Sequence, residues 1–294
     1  MKIAIYGRST ENTTFSFLQL LFDELGNYEI ELVIHDSFHE YIKGEVNITN
    51  KINIYSSNED LVKCDATYML SVGGDGTFLA TLKLVRDSGI PILGINTGRL
   101  GFLANVAQAE INIALSNLLQ NKFKVEKRAL IKVGEPKNLF NEINYGLNEF
   151  TIFKKNDLSI ISVQTYINEE YLNTYFADGL IIATPTGSTA YSLSCGGPLV
   201  MPGSKNFVIT PIAPHNLNVR PLVISDDNKI TLKVESRGRE YLASLDSNVE
   251  TINASEEITV EKADFELNVI KLENQNFFTT IRNKLLWGAD KRNY

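Results

Sequence analysis

Residues 66 to 77 read Ala66-Thr67-Tyr68-Met69-Leu70-Ser71-Val72-Gly73-Gly74-Asp75-Gly76-Thr77, an apolar run that stops at a glycine turn with one carboxylate at its centre. Such a run, bounded by glycine, is the pattern of a buried strand. Just beyond it Phe78, Leu82 and Val85 recur at helical spacing, and Gly89-Ile90-Pro91 closes the helix. A glycine turn between strand and helix aims unpaired N–H groups and the positive helix end at the adjoining crevice, where a phosphate is the natural occupant. Gly73, Gly74 and Gly76 carry no Cβ to obstruct phosphate oxygens, so with Thr77 they form a candidate phosphate loop. Asp75 has a plainer alternative, capping a helix that starts near Thr77. No Gly-Lys-Ser or Gly-Lys-Thr follows, so the turn is not a Walker A loop, and it lacks the full Gly-x-Gly-x-x-Gly of a dinucleotide fold.

Outward from this turn, residues 2–6, 30–34, 66–72 and 90–95 read as strands and 15–25, 59–63 and 77–88 as helices. That alternation predicts an α/β N-terminal domain with a parallel sheet, whose ligands lie beyond the carboxyl ends of the strands. Asp75 and the turn Asn96-Thr97-Gly98 both fall at such ends. After a helical stretch over 108–119 the pattern changes to period two, as in 159–167 and 229–234, with turns at Asn168-Glu169-Glu170 and Ser236-Arg237-Gly238. This predicts an all-β C-terminal domain. Residues 278–287, apolar at Phe278, Ile281, Leu285 and Leu286, read as a final helix that packs back on the first domain. The expected division is 1–126, joined by 275–294, and 127–274.

Composition narrows the function classes. The chain has 294 residues, enough for two domains, with 28 Lys and Arg against 35 Asp and Glu and a net charge of -7. No dense cationic face is expected, which argues against nucleic acid as a partner. The opening Met1-Lys2-Ile3-Ala4-Ile5-Tyr6-Gly7-Arg8 is too short in its apolar run for a signal peptide or a membrane span, so a soluble, cytoplasmic protein is expected. Cys64 and Cys195 are far apart and read as free thiols. His35 and His39 are four apart but have no third ligand nearby, and their segment reads as a solvated loop rather than a metal site. Asn12-Thr13-Thr14, Asn47-Ile48-Thr49 and Asn253-Ala254-Ser255 match the glycosylation pattern by chance, there being no secretory signal.

A second block runs from Ala177-Asp178-Gly179 through an apolar stretch to Thr184-Pro185-Thr186-Gly187-Ser188-Thr189-Ala190-Tyr191-Ser192-Leu193-Ser194. Its hydroxyl side chains both donate and accept, as reading the edges of a base, an amide and a ribose requires, although a plain Ser/Thr/Gly connecting loop looks similar. Upstream, Asn148-Glu149 interrupts a strand-like run over 145–153, which suggests a bulge or a strand end beside a ligand.

Together these segments, with Asn96-Thr97-Gly98-Arg99-Leu100-Gly101-Phe102-Leu103 and Pro214-His215-Asn216-Leu217, occur in the order and spacing of the NAD kinases. The chain resembles that family from its first strand to its last helix. The glycine-aspartate turn alone is shared with diacylglycerol, sphingosine and 6-phosphofructo kinases, whereas the Thr-Pro-Thr-Gly-Ser-Thr-Ala-Tyr block and the Asn-Glu pair narrow the likeness. The resemblance implies an NAD kinase-like fold and ATP-dependent phosphorylation of the 2′-hydroxyl of the adenosine ribose of NAD, giving NADP. It also implies a divalent cation, usually magnesium, with its ligands unassigned, and a homodimer or homotetramer.

By the same resemblance Asp75 is the catalytic proton acceptor. Gly74, Gly76, Phe102, Asn148, Glu149, Asp178, Thr189, Ala190, Tyr191, Ser192, Leu193, Ser194 and Asn248 form the dinucleotide-binding set, with Asn148 and Glu149 on ribose and base. Asp178 is expected to reach the ligand of a neighbouring subunit. Asn248 stands where relatives often have Gln, and Phe176-Ala177 where many have Arg or Lys, so a phosphate contact there falls to another residue. His215 is expected to bond a buried turn near Pro214. The rival readings are a lipid or sugar kinase sharing the glycine-aspartate turn, and a dinucleotide-sensing module without turnover.

Overall fold

The computed structural model describes residues 1–8, 14–98, 100–155, 159–273 and 275–287. Arg99 of the turn after residue 96, Asn12 and Thr13 of one glycosylation match, and residues 288–294 lie outside the described residues. The chain forms two compact units, one of residues 1–127 with 267–294 and the other of residues 128–266.

The first unit alternates strand and helix: β1 (Lys2–Gly7), α1 (Phe15–Gly26), β2 (Glu31–His35), α2 (Asp36–Ile42), β3 (Lys51–Tyr55), α3 (Asn58–Lys63), β4 (Tyr68–Gly73), α4 (Asp75–Val85), β5 (Ile92–Asn96) and α5 (Ile111–Leu119). Its strands are parallel, in the order β5-β4-β1-β2-β3. β4 is buried along its whole length, as expected of a parallel strand covered on both faces. Phe17, Leu18, Leu21, Phe22 and Leu25 of α1 and Ile111, Ala114, Leu115 and Leu118 of α5 join Ile3, Ile5, Leu70, Val72, Leu93 and Ile95 in one core. The chain leaves β1 toward β2 and returns to β4 on β1's other side, so the strand order reverses between β1 and β4. Ligands of open α/β sheets lie at such a reversal, beyond the carboxyl ends, and the turn at Gly73 to Asp75 leaves β4 there.

The second unit contains β6 (Phe123–Glu135, beginning in the first unit), β7 (Tyr145–Gly146), β8 (Glu149–Lys154), β9 (Ile161–Ile167), β10 (Glu170–Ala177), β11 (Gly179–Ala183), the single turn α6 (Tyr191–Ser194), β12 (Asn206–Ile212), β13 (Leu222–Ser225), β14 (Ile230–Glu235), β15 (Glu240–Leu245), β16 (Asn248–Asn253) and β17 (Glu257–Leu272). One antiparallel sheet runs β13-β12-β11-β8-β15-β16, and β10, β9, β14 and the start of β17 form another. Phe150, Ile152, Leu180, Ile182, Phe207 and Tyr241 from the first of these share a core with Ile161, Val163, Ile230, Leu232, Ile258 and Val260 from the second. β17 ends in the first unit, where Val269 lies opposite Ile92 of β5 in parallel register, and α7 (Phe277–Leu285) follows, with Ile281 buried.

Two local expectations need correction. Residues 36–42 are the helix α2 and not a loop: Phe38 and Ile42, four apart, are buried, and the His35 ring accepts the Ser37 N–H at 3.3 Å as its cap. The polar residues between them mask that pair in the sequence. The interruption expected in the run over 145–153 is present, since the run forms two strands, β7 and β8, broken at Leu147 and Asn148. The helix expected to reach residue 88 stops at Val85, since Arg86 takes a φ of +48°.

Phe150 is fully buried in β8, flanked by Ile182 of β11 and Leu245 of β15. Phe150→Ala removes a large core ring and is expected to cost about 3–5 kcal/mol of stability, read from urea unfolding. A loss below about 1 kcal/mol would show that the two sheets do not depend on this ring.

Candidate active site

Gly73 takes a φ of +155°, outside the ordinary range of L-residues, and a Cβ there would overlap the Thr77 hydroxyl. Gly74 and Gly76 differ, because no described heavy atom lies within 4 Å of where a Cβ on either would stand. The fold needs Gly73 to make the turn, while Gly74 and Gly76 leave the surface beside Asp75 open to an incoming group.

Asp75 is the first residue of α4, and Gly74 precedes it as a cap without a side-chain bond. Its carboxylate does not cap its own helix. It accepts three backbone N–H groups from the segment after β5: Phe102 on Oδ2 at 2.9 Å, and Leu103 and Ala104 on Oδ1, both at 3.0 Å. A Cβ on Gly101 would overlap Oδ1, so the segment closes on Asp75 only with glycine at that position. Asn96, buried at the end of β5, holds the same segment from inside, accepting the Gly98 N–H at 2.7 Å and donating to the Ala104 carbonyl at 3.2 Å. Gln108 donates to the Thr97 carbonyl at 2.7 Å. From α7, Lys284 Nζ stands 3.9 Å from Asp75 Oδ2 and 4.7 Å from the centre of the Phe102 ring. A carboxylate has about four acceptor positions. Three on Asp75 are filled by amides, which leaves one, on Oδ2.

In the second unit Asp246 organises the segment between β7 and β8 in the same way. Its carboxylate accepts the N–H groups of Leu147 at 2.8 Å, Asn148 at 2.8 Å and Glu149 at 3.1 Å. Thr184 joins this segment to the hydroxyl-rich turn: its Oγ1 donates to the Leu147 carbonyl at 2.5 Å and accepts the Gly187 N–H at 3.1 Å, and its N–H donates to the Asn148 carbonyl at 2.8 Å. A Cβ on Gly187 would overlap that carbonyl. The turn Thr184 to Gly187 is thus seated on the backbone of Asn148.

Beside it, Glu149 Oε2 is shut off from solvent with no hydrogen-bond partner among the described residues. Burial first, and the Asp246 charge second, push the Glu149 carboxyl up to about 8, against a lowering by the Tyr191 N–H. Near neutral pH this carboxyl therefore holds a proton and can donate. The Tyr191 ring, partly exposed, lies 5.8 Å from the Phe153 ring at a 31° tilt.

The remaining positions divide. Thr189, Ala190 and Leu193 are half-buried and Ser194 is exposed. Ser192 is fully buried and its hydroxyl pairs with Thr210 Oγ1 at 2.8 Å, so its side-chain bond is internal. Asn248 opens β16 opposite Leu245. Asp178 pairs with Lys154 Nζ at 2.8 Å. Lys154 is the residue the sequence reading missed: it places a cation beside Asp178 where 176 and 177 supply none, and only the pairing of β8 with β11 reveals it. His215 lies in an exposed turn and its backbone N–H donates to the Phe176 carbonyl at 2.8 Å, so the turn it bonds is not buried. Among the described residues no group of three or more His, Cys, Asp or Glu side chains is placed to hold a metal ion, and no helix is long and apolar enough to cross a membrane.

Comparison with known proteins adds family context. Residues 14–123 match the ATP-NAD kinase N-terminal domain and residues 147–272 the ATP-NAD kinase C-terminal domain. The chain is 48% identical over 295 residues to an NAD kinase of Flavobacterium psychrophilum, covering all of both chains. It is 45% identical to one of Bacteroides fragilis, over 99% of this chain and all of that one. Among solved structures it is similar to an Archaeoglobus fulgidus NAD kinase in complex with ATP, at a TM-score of 0.74 and 25% identity over 96% of this chain and 99% of that one. It shares the fold of yeast NADH kinase complexed with NADH, at a TM-score of 0.88 and 22% identity over 98% of this chain and 88% of that one.

The raised Glu149 carboxyl makes stability depend on pH. The folded state holds this proton up to about 8, whereas the unfolded chain releases it near 4.5, so between those values the folded state binds more protons and stability falls as pH rises. Glu149→Gln is expected to flatten that slope in urea midpoints measured across the same range. A variant with the wild-type slope would show that Glu149 is not the group responsible.

Proposed function

The chain belongs to the ATP-NAD kinase family, and from that membership we propose how its residues divide the work. It is a kinase that transfers a phosphoryl group from ATP to the 2′-hydroxyl of the adenosine ribose of NAD, producing NADP. Asp75 takes the hydroxyl proton on Oδ2 as the bond to phosphorus forms and ADP leaves. The observation that carries this role is the carboxylate held by three amides next to two glycines with open space above them. In a loose phosphoryl-transfer transition state the proton leaves late, so alignment supplies more of the acceleration than proton abstraction.

Phe102, Gly74 and Gly76 line the acceptor side in the first unit, and Gly73 with Thr77 shapes the phosphate loop. In the second unit Asn148 and Glu149 read ribose and base, with Asp178, Thr189, Ala190, Tyr191, Leu193, Ser194 and Asn248 completing the dinucleotide surface. The neutral Glu149 carboxyl suits an acceptor on base or sugar. Lys154 beside Asp178 supplies the cation expected for a phosphate. A divalent cation, magnesium, serves the transfer by offsetting the charge of the triphosphate, its protein ligands being unassigned. The protein works as a cytoplasmic homodimer or homotetramer. Exposed apolar side chains of the second unit at Met201, Leu217, Leu222, Val223 and Val249 favour such an assembly.

The test is NADP formation from ATP and NAD. Asp75→Asn is expected to bind NAD normally by calorimetry and to lose turnover by ~10²- to 10⁴-fold. Turnover within about threefold of wild type would remove the base from the scheme. Tyr191→Ala is expected to weaken NAD binding by ~1 kcal/mol or more through lost stacking area, with a smaller effect on kcat. Unchanged affinity would move the dinucleotide surface away from α6.

A further inference from the structure

We propose that Lys284 on the terminal helix α7 is a positioning residue for Asp75 in phosphoryl transfer, an inference that rests on the kinase reading above. α7 is capped by Asn276, whose side chain accepts the Thr279 N–H at 2.8 Å, and is seated in the first unit by buried Ile281. Ile281 and Lys284 are three residues apart and so share one side of the helix. Seating the first brings the second to the glycine-aspartate turn.

The geometry there is specific. Lys284 Nζ is 3.9 Å from Asp75 Oδ2, which is ion-pair range and too long for a hydrogen bond, and 4.7 Å from the centre of the Phe102 ring, whose face attracts a cation. Oδ1 already takes two amides and Oδ2 one, so the open acceptor position of Asp75 is on the oxygen beside the ammonium. A sugar hydroxyl bonding there meets a carboxylate whose orientation is set by three amides on one side and a cation on the other. The same ammonium holds the Phe102 ring, and with it the segment that donates those amides. The last helix thereby fixes base and loop in one pose before the acceptor arrives, the preorganisation that positional catalysis depends on.

A purely structural role makes a different forecast. The two side chains are 30% and 34% exposed, and ion pairs at that exposure add little to fold stability, so loss of Lys284 should appear in rate and not in melting temperature.

The experiment compares wild type, Lys284→Met and Lys284→Arg as full-length protein, by steady-state NADP formation from ATP and NAD and by thermal unfolding. Lys284→Met keeps the apolar stem without the charge and is expected to lower kcat about tenfold or more. Its KM for NAD should stay within about threefold and its Tm within about 2 °C of wild type. Lys284→Arg, which restores a cation, should recover most of the rate. The proposal is overturned by wild-type kcat in Lys284→Met, by a change confined to KM, by a kcat loss that Arg does not rescue, or by a loss that tracks a fall in Tm. A wild-type protein that forms no NADP overturns the kinase reading itself, and this inference with it.

Discussion

Each unit organises its candidate site by one device: an aspartate carboxylate that gathers three consecutive backbone N–H groups from a distant segment. Asp75 holds residues 102 to 104 and Asp246 holds residues 147 to 149. Successive amides converging on one anion form a concavity that stabilises negative charge, and hydrogen bonds to an ionised acceptor are roughly twice as strong as neutral ones. Without the carboxylate, each segment would present three amide donors that the adjoining strands do not use. Those donors would need solvent, and the segment would lose its shape.

The device dictates the residue just before each triplet. Gly101 precedes the first, and a Cβ on it would overlap Asp75 Oδ1. Gly146 precedes the second, and a Cβ on it would come within 2.9 Å of Asp246 Oδ1. A carboxylate can approach three amides this closely only if the chain entering them has no side chain on the approach side. Each pairing also joins positions far apart in sequence, 27 to 29 residues for Asp75 and 97 to 99 for Asp246. Neither segment can therefore be ordered by local preferences alone. The sheets must first bring the carboxylate and the amides together.

That separation explains what the sequence discloses and what it hides. The parallel sheet, the change to an antiparallel unit near residue 120 and the returning helix were legible, because burial imposes period and glycine marks the breaks, as in the run from Tyr68 to Gly76. The break at Leu147 and Asn148 was legible as an interruption, since two adjacent polar residues spoil a strand. Its cause was not, because Asp246 lies so far along the chain. The helix α2 was hidden by its brevity, with only Phe38 and Ile42 buried. Ser192 illustrates the limit for hydroxyls: in sequence it is one more small polar residue, and only its placement against Thr210 shows that its bond is internal. Lys154 was equally invisible, since its place beside Asp178 arises from the register of β8 with β11.

The two carboxyl groups assigned to the proposed chemistry stand in different surroundings. Asp75 accepts three amides and has a cation beside it, which leaves one acceptor position, and a hydroxyl that takes that position has its direction chosen for it. Glu149 has an orphaned, buried oxygen and the Asp246 charge nearby, so it keeps its proton. Under the proposed function these surroundings divide the labour, with Asp75 orienting the reacting hydroxyl and Glu149 donating to a part of the substrate that does not react. A carboxylate already satisfied by three amides is a poor choice for a site whose rate depends on pulling a proton away early. It suits a transition state in which the phosphoryl group is nearly free of its leaving oxygen before the proton moves, where direction matters more than basicity. In the proposed reaction the fixed orientation of the Asp75 carboxylate, held by three amides, is therefore what the glycine-aspartate turn contributes.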